Sequence, residues 1–299
     1  MFKVFYHCYL ANNWQKLVKE QINELITSGM YQACEDITVT VSGEKFQRAA
    51  LRELLAPHTK FVVRAFEDTA PKGKEELLAL KEIYEYANST EGYKPIFYFH
   101  TKGISHQTVF SNKKRTVNSW RDVMTYFTVY NWDKCLIMLT QLKLSTASTM
   151  FAFSTEPKLS DYFRNETGNE ILQRHAMYSG NFWWTTTDHI RRLPDPSLVL
   201  NDRTDNERWL FMCSTYLAFS FFQTDTNLYD KTLSFFEYEW TETKPCNGML
   251  ASVGMEGPGY VKIGATTVHR HNLTQEISYK IHTTVTIPPI FLSINSIAQ

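Results

Sequence analysis

The sequence of 299 residues has no excess of either charge and is poor in cysteine. Lysine plus arginine equals aspartate plus glutamate, 31 against 31, so the chain lacks the basic field that binds the phosphate backbone of nucleic acids. Nucleic acid is therefore not expected as a partner. The five cysteines contain no Cys-x-x-Cys pair, and this usage is typical of a reducing compartment.

A secretory signal and a long apolar run are also missing. The first residues lead into a strand-like run without the basic, apolar and small-residue regions of a signal peptide. The longest apolar stretch, residues 209–222, is interrupted by hydroxyl side chains and is shorter than the roughly 20 residues that span a bilayer. We interpret it as a buried helix, with a helix on a membrane surface as the alternative. These absences predict a cytoplasmic protein without a transmembrane segment and with at most weak peripheral membrane contact.

The motifs of several enzyme classes are absent as well. No Gly-x-Ser-x-Gly, Walker or Gly-x-Gly-x-x-Gly pattern occurs, so hydrolase, phosphate-loop and dinucleotide-binding sites have no support. His269 and His271 stand two residues apart in a predicted strand, but no third ligand follows at a matching spacing. The sequence therefore predicts no metal site at these histidines.

The first hundred residues alternate between strand-like and helix-like patterns. Strands are predicted over residues 4–10, 37–41, 60–66 and 95–99, with helices between them over residues 14–26, 46–55 and 74–87. A helix over residues 116–140, a strand over residues 149–153 and a helix from residue 205 follow. This order implies an α/β fold with a mainly parallel, Rossmann-like sheet flanked by helices. Residues 1–224 are predicted to form one domain, and residues 225–299 a C-terminal appendage whose shape the pattern does not define.

Polar residues follow the predicted strands directly. In parallel α/β sheets, ligands bind beyond the carboxyl ends of the strands, so these residues are expected to meet on one rim. They are His7, Cys8 and Tyr9 after the first strand, Glu67 and Asp68 after the third, and His100 and Lys102 after the fourth.

The sharpest local motif is IFYFHTKGIS at residues 96–105, where an apolar strand ends abruptly in His-Thr-Lys-Gly. Gly103 permits a tight turn at this point. The ammonium group of Lys102 is suited to neutralise diphosphate oxygens as a point charge. The alternative is a lysine at a solvated strand end without a ligand.

Aromatic residues are abundant, with 20 Phe, 16 Tyr and 7 Trp, and they include the run SGNFWW at residues 179–184. In a strand, Trp183 and Trp184 point to opposite faces, so one belongs to the core and the other is a candidate to stack against a sugar. Gly180 and Asn181 offer amide hydrogen-bond donors to sugar hydroxyls. The alternative is that both indoles are packed inside the protein.

Two further segments carry candidate charged groups. Arg121 lies near the start of a predicted helix, where its guanidinium suits phosphate or carboxylate recognition, although an ordinary ion pair explains it equally well. Glu207, in the segment NDRTDNERWL at residues 201–210, is the first candidate for a catalytic carboxylate. Asp188, which precedes this segment, is the second. Helix capping is the competing explanation for the acidic residues of this segment, Asp205 above all.

Three motifs together carry a resemblance to a known family. FHTKG, SWRDVMTYF at residues 119–127 and SGNFWW, in this order and spacing, resemble the GT-A glycosyltransferases related to rhamnan-synthesis protein F, which are similar to proteins of bacterial polysaccharide clusters and large DNA viruses. The resemblance spans about residues 1–220. The segment KGKEELLALKEI, residues 72–83, also resembles a family segment that opens a helix with a basic and an acidic residue. Here these are Lys74 and Glu75, although aspartate is commoner at the second position.

The resemblance implies the transfer of a sugar from a nucleoside diphosphate sugar to a hydroxyl group of a glycan acceptor. In many GT-A enzymes two aspartates at this strand end hold Mn²⁺ or Mg²⁺, whereas this chain has His100 and Lys102. Metal is therefore not required by the sequence, although it stays an open alternative. By position, residues 7–9 and 67–68 would face the nucleoside, Lys102 the diphosphate, residues 180–184 the sugar, and Glu207 the acceptor as general base of an inverting reaction.

Two rival functions remain open on the sequence. The missing aspartate pair favours a catalytically inactive, GT-A-like carbohydrate-binding domain. A sugar nucleotidyltransferase shares the α/β nucleotide-binding fold, but no Gly-rich, basic phosphate loop follows the first strand. The sequence names neither the donor sugar, the acceptor, the stereochemistry nor the oligomeric state.

Overall fold

The computed structural model describes residues 1–68, 76–108, 111–153, 176–200, 203–213, 215–239, 248–255 and 261–268. Several residues singled out in the sequence lie outside these ranges. They are Lys74, Glu75, Asp202, Cys246, His269 and His271.

The strands are β1 (Lys3–Leu10), β2 (Ile37–Gly43), β3 (Phe61–Glu67), β4 (Pro95–His100), β5 (Thr146–Ser148), β6 (Phe151–Phe153), β7 (Ala176–Tyr178), β8 (Trp183–Thr186), β9 (Tyr216–Ser220), β10 (Gly248–Met255) and β11 (Val261–Val268). The helices are α1 (Trp14–Thr27), α2 (Met30–Ala33), α3 (Gln47–Leu55), α4 (Leu77–Ser89), α5 (Lys114–Thr125), α6 (Trp132–Thr140), α7 (Thr187–Ile190), α8 (Pro196–Val199), α9 (Arg203–Arg208) and α10 (Phe235–Tyr238).

One large sheet organises the described part of the chain. Its strand order is β11-β10-β9-β5-β8-β4-β1-β2-β3, and β6 and β7 form a separate pair. Strands β1 to β5, β9 and β11 run in one direction, while β8 and β10 run in the opposite one. The predicted α/β fold with a mainly parallel, Rossmann-like sheet is confirmed.

Helices cover both faces of this sheet. Buried side chains of α1, α3, α5 and α6 pack on one face, and those of α4, α7 and α8 pack on the other. Strand β1 supplies both layers because successive side chains alternate: Val4 and Tyr6 enter the first core and Phe5 the second. A strand buried on both faces is therefore apolar almost throughout, which is why the sequence pattern of β1 and β4 was easy to interpret.

The apolar stretch at residues 209–222 does not form the single buried helix that we predicted. Helix α9 ends at Arg208, a 3-10 turn covers Trp209–Phe211, and Tyr216–Ser220 forms strand β9 between β5 and β10. A short apolar run has no periodicity that separates a buried strand from a buried helix, so tertiary pairing decides. The predicted helix over residues 116–140 is likewise divided into α5, a π-helical turn at Tyr126–Tyr130 and α6.

The described residues beyond 224 pack on the same core. Leu228, Leu233 and Tyr238 belong to the α1-side cluster, and β10 pairs with β9 along the sheet. The boundary at residue 224 stays a prediction, but the described part of the appendage continues the sheet of the first 224 residues. None of the helices in the described ranges has the length and apolar character needed to cross a bilayer.

Candidate functional site

The carboxyl ends of β1 and β4 bring two histidines side by side. His7 and His100 are register partners on these adjacent parallel strands, and His7 Nδ1 lies 2.9 Å from Thr40 Oγ1 on β2. Burial lowers the pKa of His7 to about 4 and that of His100 to about 3. Both rings are therefore neutral at pH 7, and neither adds positive charge to the rim.

The His-Thr-Lys-Gly turn is tied to β1 by hydrogen bonds. The Thr101 amide donates to the His7 carbonyl (3.1 Å), and the Tyr9 amide donates to Thr101 Oγ1 (2.9 Å). Gly103 closes the turn at φ 81°, and a Cβ atom there would lie 2.2 Å from Val117 Cγ1. The turn thus needs glycine for its backbone angle and for the close approach of α5.

Lys102 is buried at the end of this turn, with 4% of its surface exposed. Its ammonium group lies 4.2 Å from the centre of the Trp120 ring. Among the described residues, no carboxylate oxygen lies within 4.0 Å of Lys102 Nζ. Burial lowers the pKa of Lys102, with Glu207 opposing and Arg203 reinforcing that shift. A solvated lysine at a strand end, the alternative left open by the sequence, does not describe this side chain.

Arg121 supports the turn from inside the protein. Its Nη1 donates to the Lys102 carbonyl (3.3 Å) and to Asn118 Oδ1 (3.1 Å), while Nη2 lies 3.7 Å from Glu20 Oε2. The side chain is 5% exposed. These contacts account for the guanidinium within the fold, so its assignment to a donor remains without structural support.

The SGN turn, residues 179–181, lies against the end of β4. His100 Nε2 donates to the Gly180 carbonyl (3.0 Å), and Trp120 Nε1 donates to the Ser179 carbonyl (3.2 Å). Gly180 and Asn181 both have positive φ, 99° and 60°. The structure therefore brings the HTKG and SGN motifs together through side-chain contacts to backbone carbonyls.

Glu76 joins these motifs, and our sequence analysis missed it. Glu76 Oε2 accepts hydrogen bonds from Tyr98 Oη (2.8 Å) and Asn181 Nδ2 (2.6 Å), and Oε1 lies 3.8 Å from His100 Nδ1. The side chain is buried at the start of α4. The only signal was its position in KGKEELL, where we chose the neighbouring Glu75 on the strength of the resemblance.

Both tryptophans of SGNFWW are buried, which corrects the expectation that one stacks on a sugar. They do point to opposite faces, as predicted, but Trp183 enters the α4-side core and Trp184 the α1-side core. Trp183 Nε1 donates to Asn181 Oδ1 (2.7 Å), and Trp184 Nε1 donates to the Thr128 carbonyl (2.8 Å). Because the sheet is covered on both sides, an outward-facing indole still meets a helix layer.

Glu207 lies near Lys102, although the two residues are about a hundred positions apart in the chain. Its negative charge raises the pKa of both Lys102 and His100, against the larger effect of burial. Glu207 Oε1 is 3.5 Å from Arg203 Nε, and its side chain is 17% exposed. Helix α9 begins at Arg203, so Glu207 lies in its second turn and does not cap it. The capping explanation is therefore wrong for Glu207.

Asp188, the second catalytic candidate, lies at the amino end of β4, opposite the end that carries Lys102. Strand β8 runs antiparallel to β4, so Thr186 pairs with Pro95 at the amino end of β4. Asp188 follows Thr186, is exposed, and pairs with Arg191 at 2.6 Å. We had not expected an antiparallel strand here, and its direction removes Asp188 from the catalytic list.

Five residues after β1 and β3 were expected to face the nucleoside, and three of them, Cys8, Glu67 and Asp68, do not meet at Lys102. Cys8 belongs to the α1-side core, on the other face of β1 from His7. Glu67 and Asp68 end β3, which is three strands from β4 and thus about 14 Å away at the usual strand spacing. Asp68 pairs with Arg48. Tyr9 is partly exposed and stays a candidate to face the nucleoside.

The described residues at the end of β4 offer no ligand set for a divalent metal. Among the described residues, no group of three or more His, Cys, Asp or Glu side chains could hold a metal ion. The Lys102 ammonium lies at this strand end and repels a cation, while His100 Nε2 donates to the Gly180 carbonyl. The charge arrangement suits an anion instead.

Substitution of Gly180 by alanine is expected to destabilise the fold by about 2–5 kcal/mol, since a strained positive φ costs about 1–2 kcal/mol and overpacking adds about 1–3 kcal/mol. A Cβ atom there would lie 2.3 Å from Met124 Sδ. Gly92→Ala is the control, because Gly92 has a similar positive φ and no atom within 4 Å of the added Cβ. Urea unfolding of both variants separates the two effects. Equal losses would show that the packing of Met124 against Gly180 is loose.

Comparisons with known proteins give one family and distant structures. No curated protein matches the chain. Similar solved structures include 4-diphosphocytidyl-2C-methyl-D-erythritol synthase from Anaerococcus prevotii DSM 20548, with 8% identity over 69% of this chain and 82% of that one. Another is HddC from Yersinia pseudotuberculosis, with 9% identity over 66% and 81%. Both have a TM-score of 0.32, which is too low to support a functional argument. Residues 5–228 match the model of a domain of unknown function, DUF8361, and the chain belongs to that family.

Proposed function

We propose that this protein transfers a sugar from a nucleoside diphosphate sugar to a hydroxyl group of a glycan acceptor. The observation that carries the proposal is the buried ammonium of Lys102, which ends β4 with no carboxylate of the described residues within ion-pair distance. A buried charge without a partner is costly, and a bound anion would compensate for it. The resemblance of the HTKG, WR and SGNFWW motifs to GT-A glycosyltransferases supports a donor diphosphate as that anion.

The neighbouring groups supply the rest of the chemistry. An acceptor oxygen would attack the anomeric carbon while the bond from that carbon to the diphosphate oxygen breaks. The diphosphate leaves with the bonding electron pair, and Lys102 compensates its charge. In an inverting reaction, Glu207 would accept the proton of the acceptor hydroxyl. The buried contacts of Glu76 and His100 to residues 180–181 would hold the sugar-facing turn in place.

We expect a nucleoside diphosphate to bind without divalent metal, because Lys102 and His100 replace the two carboxylates that a metal would require. Calorimetry of UDP, GDP, CDP and ADP in excess chelator measures this. An affinity that rises several-fold with Mn²⁺ or Mg²⁺ is compatible with the proposal. Loss of binding on chelation would contradict it.

A thermal-shift screen against nucleotide sugars, followed by a turnover assay with the best ligand, tests the reaction itself. A ligand that binds only the folded state raises the melting temperature. Release of the nucleoside diphosphate with transfer of the sugar supports the proposal. Binding without turnover would favour the inactive carbohydrate-binding domain. Formation of a nucleotide sugar from a sugar phosphate and a nucleoside triphosphate would favour the nucleotidyltransferase.

A further inference from the structure

The segment after residue 224 forms one wall of the Lys102 site. Thr116 Oγ1 on α5 donates to the Tyr229 carbonyl (3.0 Å), and Ser119 Oγ, one turn later, donates to the Leu233 carbonyl (2.9 Å). These bonds fix the segment along α5. The Tyr229 ring consequently lies edge-on against Trp120, with the ring centres 5.0 Å apart.

This pair of rings carries an ammonium group on each member. Lys102 Nζ is 4.2 Å from the centre of the Trp120 ring, and Lys113 Nζ is 5.0 Å from the centre of the Tyr229 ring. For Lys113, as for Lys102, no carboxylate of the described residues lies within ion-pair distance. The Trp120–Tyr229 pair thus presents two ammonium groups that have no acidic partner in the described part of the chain.

His106 lies beside the Trp120–Tyr229 pair and within the electrostatic reach of three cations. The His106 ring lies 6.3 Å from Tyr229. Partial burial lowers its pKa, and the positive charges of Lys113, Arg203 and Lys102 lower it further. Three cations from separate segments therefore act on one imidazole, which is the field that an anion with several charges would meet.

The start of α5 adds an independent observation. Lys113 is the N-cap residue, Lys114 and Arg115 follow in the first turn, and no acidic residue stands there. A helix N-terminus carries partial positive charge and normally attracts acidic side chains. Basic residues at this position increase a repulsion that a bound anion would relieve.

We propose that Lys102 and Lys113, the two ammonium groups held by the Trp120–Tyr229 pair, together bind the diphosphate group of the donor. The inference rests on the proposed function, since it takes the ligand to be a diphosphate. It assigns Lys113 and Tyr229 to the donor site, which extends the site past residue 224. Two ammonium groups also supply the positive charge that a divalent metal supplies elsewhere.

Inorganic pyrophosphate and orthophosphate are the probes, titrated by calorimetry in excess chelator at physiological salt. We expect pyrophosphate to bind at least tenfold more tightly than orthophosphate. Lys113→Met and Lys102→Met should each weaken pyrophosphate binding at least tenfold, and Lys113→Arg should retain it within about threefold. Lys16→Met is the control for general charge, because the Lys16 side chain is 69% exposed on α1, and it should change the affinity less than twofold.

Three results would overturn the inference. They are no pyrophosphate binding by the parent chain, an unchanged affinity in folded Lys113→Met, and equal losses in the Lys113 and Lys16 variants, which would indicate a general field. Melting temperatures verify that each variant is folded. Pyrophosphate binding that needs both lysines, without any sugar transfer, would keep this site and refute the proposed function. Sugar transfer unaffected by Lys113→Met would refute the two-lysine site and keep the proposed function.

Discussion

Substitution of Glu207 by glutamine is expected to lower the rate of sugar transfer about 10²–10⁴-fold, the range for loss of a general base. Glutamine keeps the shape and the hydrogen-bonding reach of the side chain but cannot accept the acceptor proton. The structure supports this choice because Glu207 influences both Lys102 and His100 electrostatically and is not needed to cap α9. Donor affinity and melting temperature should stay close to those of the parent.

Turnover, donor affinity and melting temperature must be measured on the same Glu207→Gln protein. Asp205→Asn is the matched control, since Asp205 lies in the first turn of the same helix and carries the same charge. Loss of the Arg203 ion pair is the main structural side effect, and Arg203→Met reports its size. Retained turnover in Glu207→Gln would remove this residue from the catalytic list.

Substitution of Lys102 by methionine is expected to weaken donor binding about 10- to 150-fold. This corresponds to about 1.5–3 kcal/mol, the range for hydrogen bonds to charged groups. Methionine is a better replacement than alanine because the buried side chain packs over Trp120, and a smaller residue would leave a cavity. The free energy of unfolding should not fall, because the substitution removes, with little change in volume, a buried charge that has no carboxylate partner among the described residues.

The measurement is a titration of the best-binding nucleoside diphosphate against Lys102→Met and parent, together with urea unfolding of both. Lys16→Met is a control for general charge, since the Lys16 side chain is 69% exposed on α1. An unchanged donor affinity in Lys102→Met would end the assignment of the anion site to the end of β4. A large loss of stability would mean that the ammonium is held by a carboxylate and does not await a ligand.

The parallel half of the fold could be predicted because its sequence pattern is local. Strands β1 and β4 are buried on both faces, and amphipathic helices separate the strands. Each element can therefore be recognised from the pattern of a short sequence window. The end of β4 was predicted by the same reasoning, since an apolar run that stops at His100 indicates a strand that ends at the ligand-binding rim of the sheet. Both Lys102 and Gly103 were identified in this way.

The antiparallel strands could not be predicted because their direction is a tertiary property. Nothing in residues 183–186 indicates that β8 runs antiparallel to β4, yet this direction places Asp188 at the amino end of β4, away from Lys102. Strand β9 was taken for a helix because its partners, β5 and β10, are far away in the chain. Short apolar runs take their conformation from what they pair with.

The site residues that escaped sequence analysis are those defined by contact. Glu76 is one of two adjacent glutamates, and its place in the site depends on its hydrogen bonds with Tyr98 and Asn181. Tyr229 lies in a segment with no motif, and its place beside Trp120 depends on hydrogen bonds to α5. Conversely, Trp183 and Trp184 stand in a recognisable motif and serve the two cores.

The pairing of β10 on β9 matters for any shortened form of this protein. A chain cut at residue 224 would end just after β9 and leave the backbone amides and carbonyls of Tyr216–Ser220 without partners on one side. Such a bare edge strand is a template for intermolecular β-pairing and aggregation. The same cut would remove Leu228, Leu233 and Tyr238 from the core and uncover apolar surface beside α5. Expression fragments of this family are therefore better ended beyond β11 than at the limit of the family match.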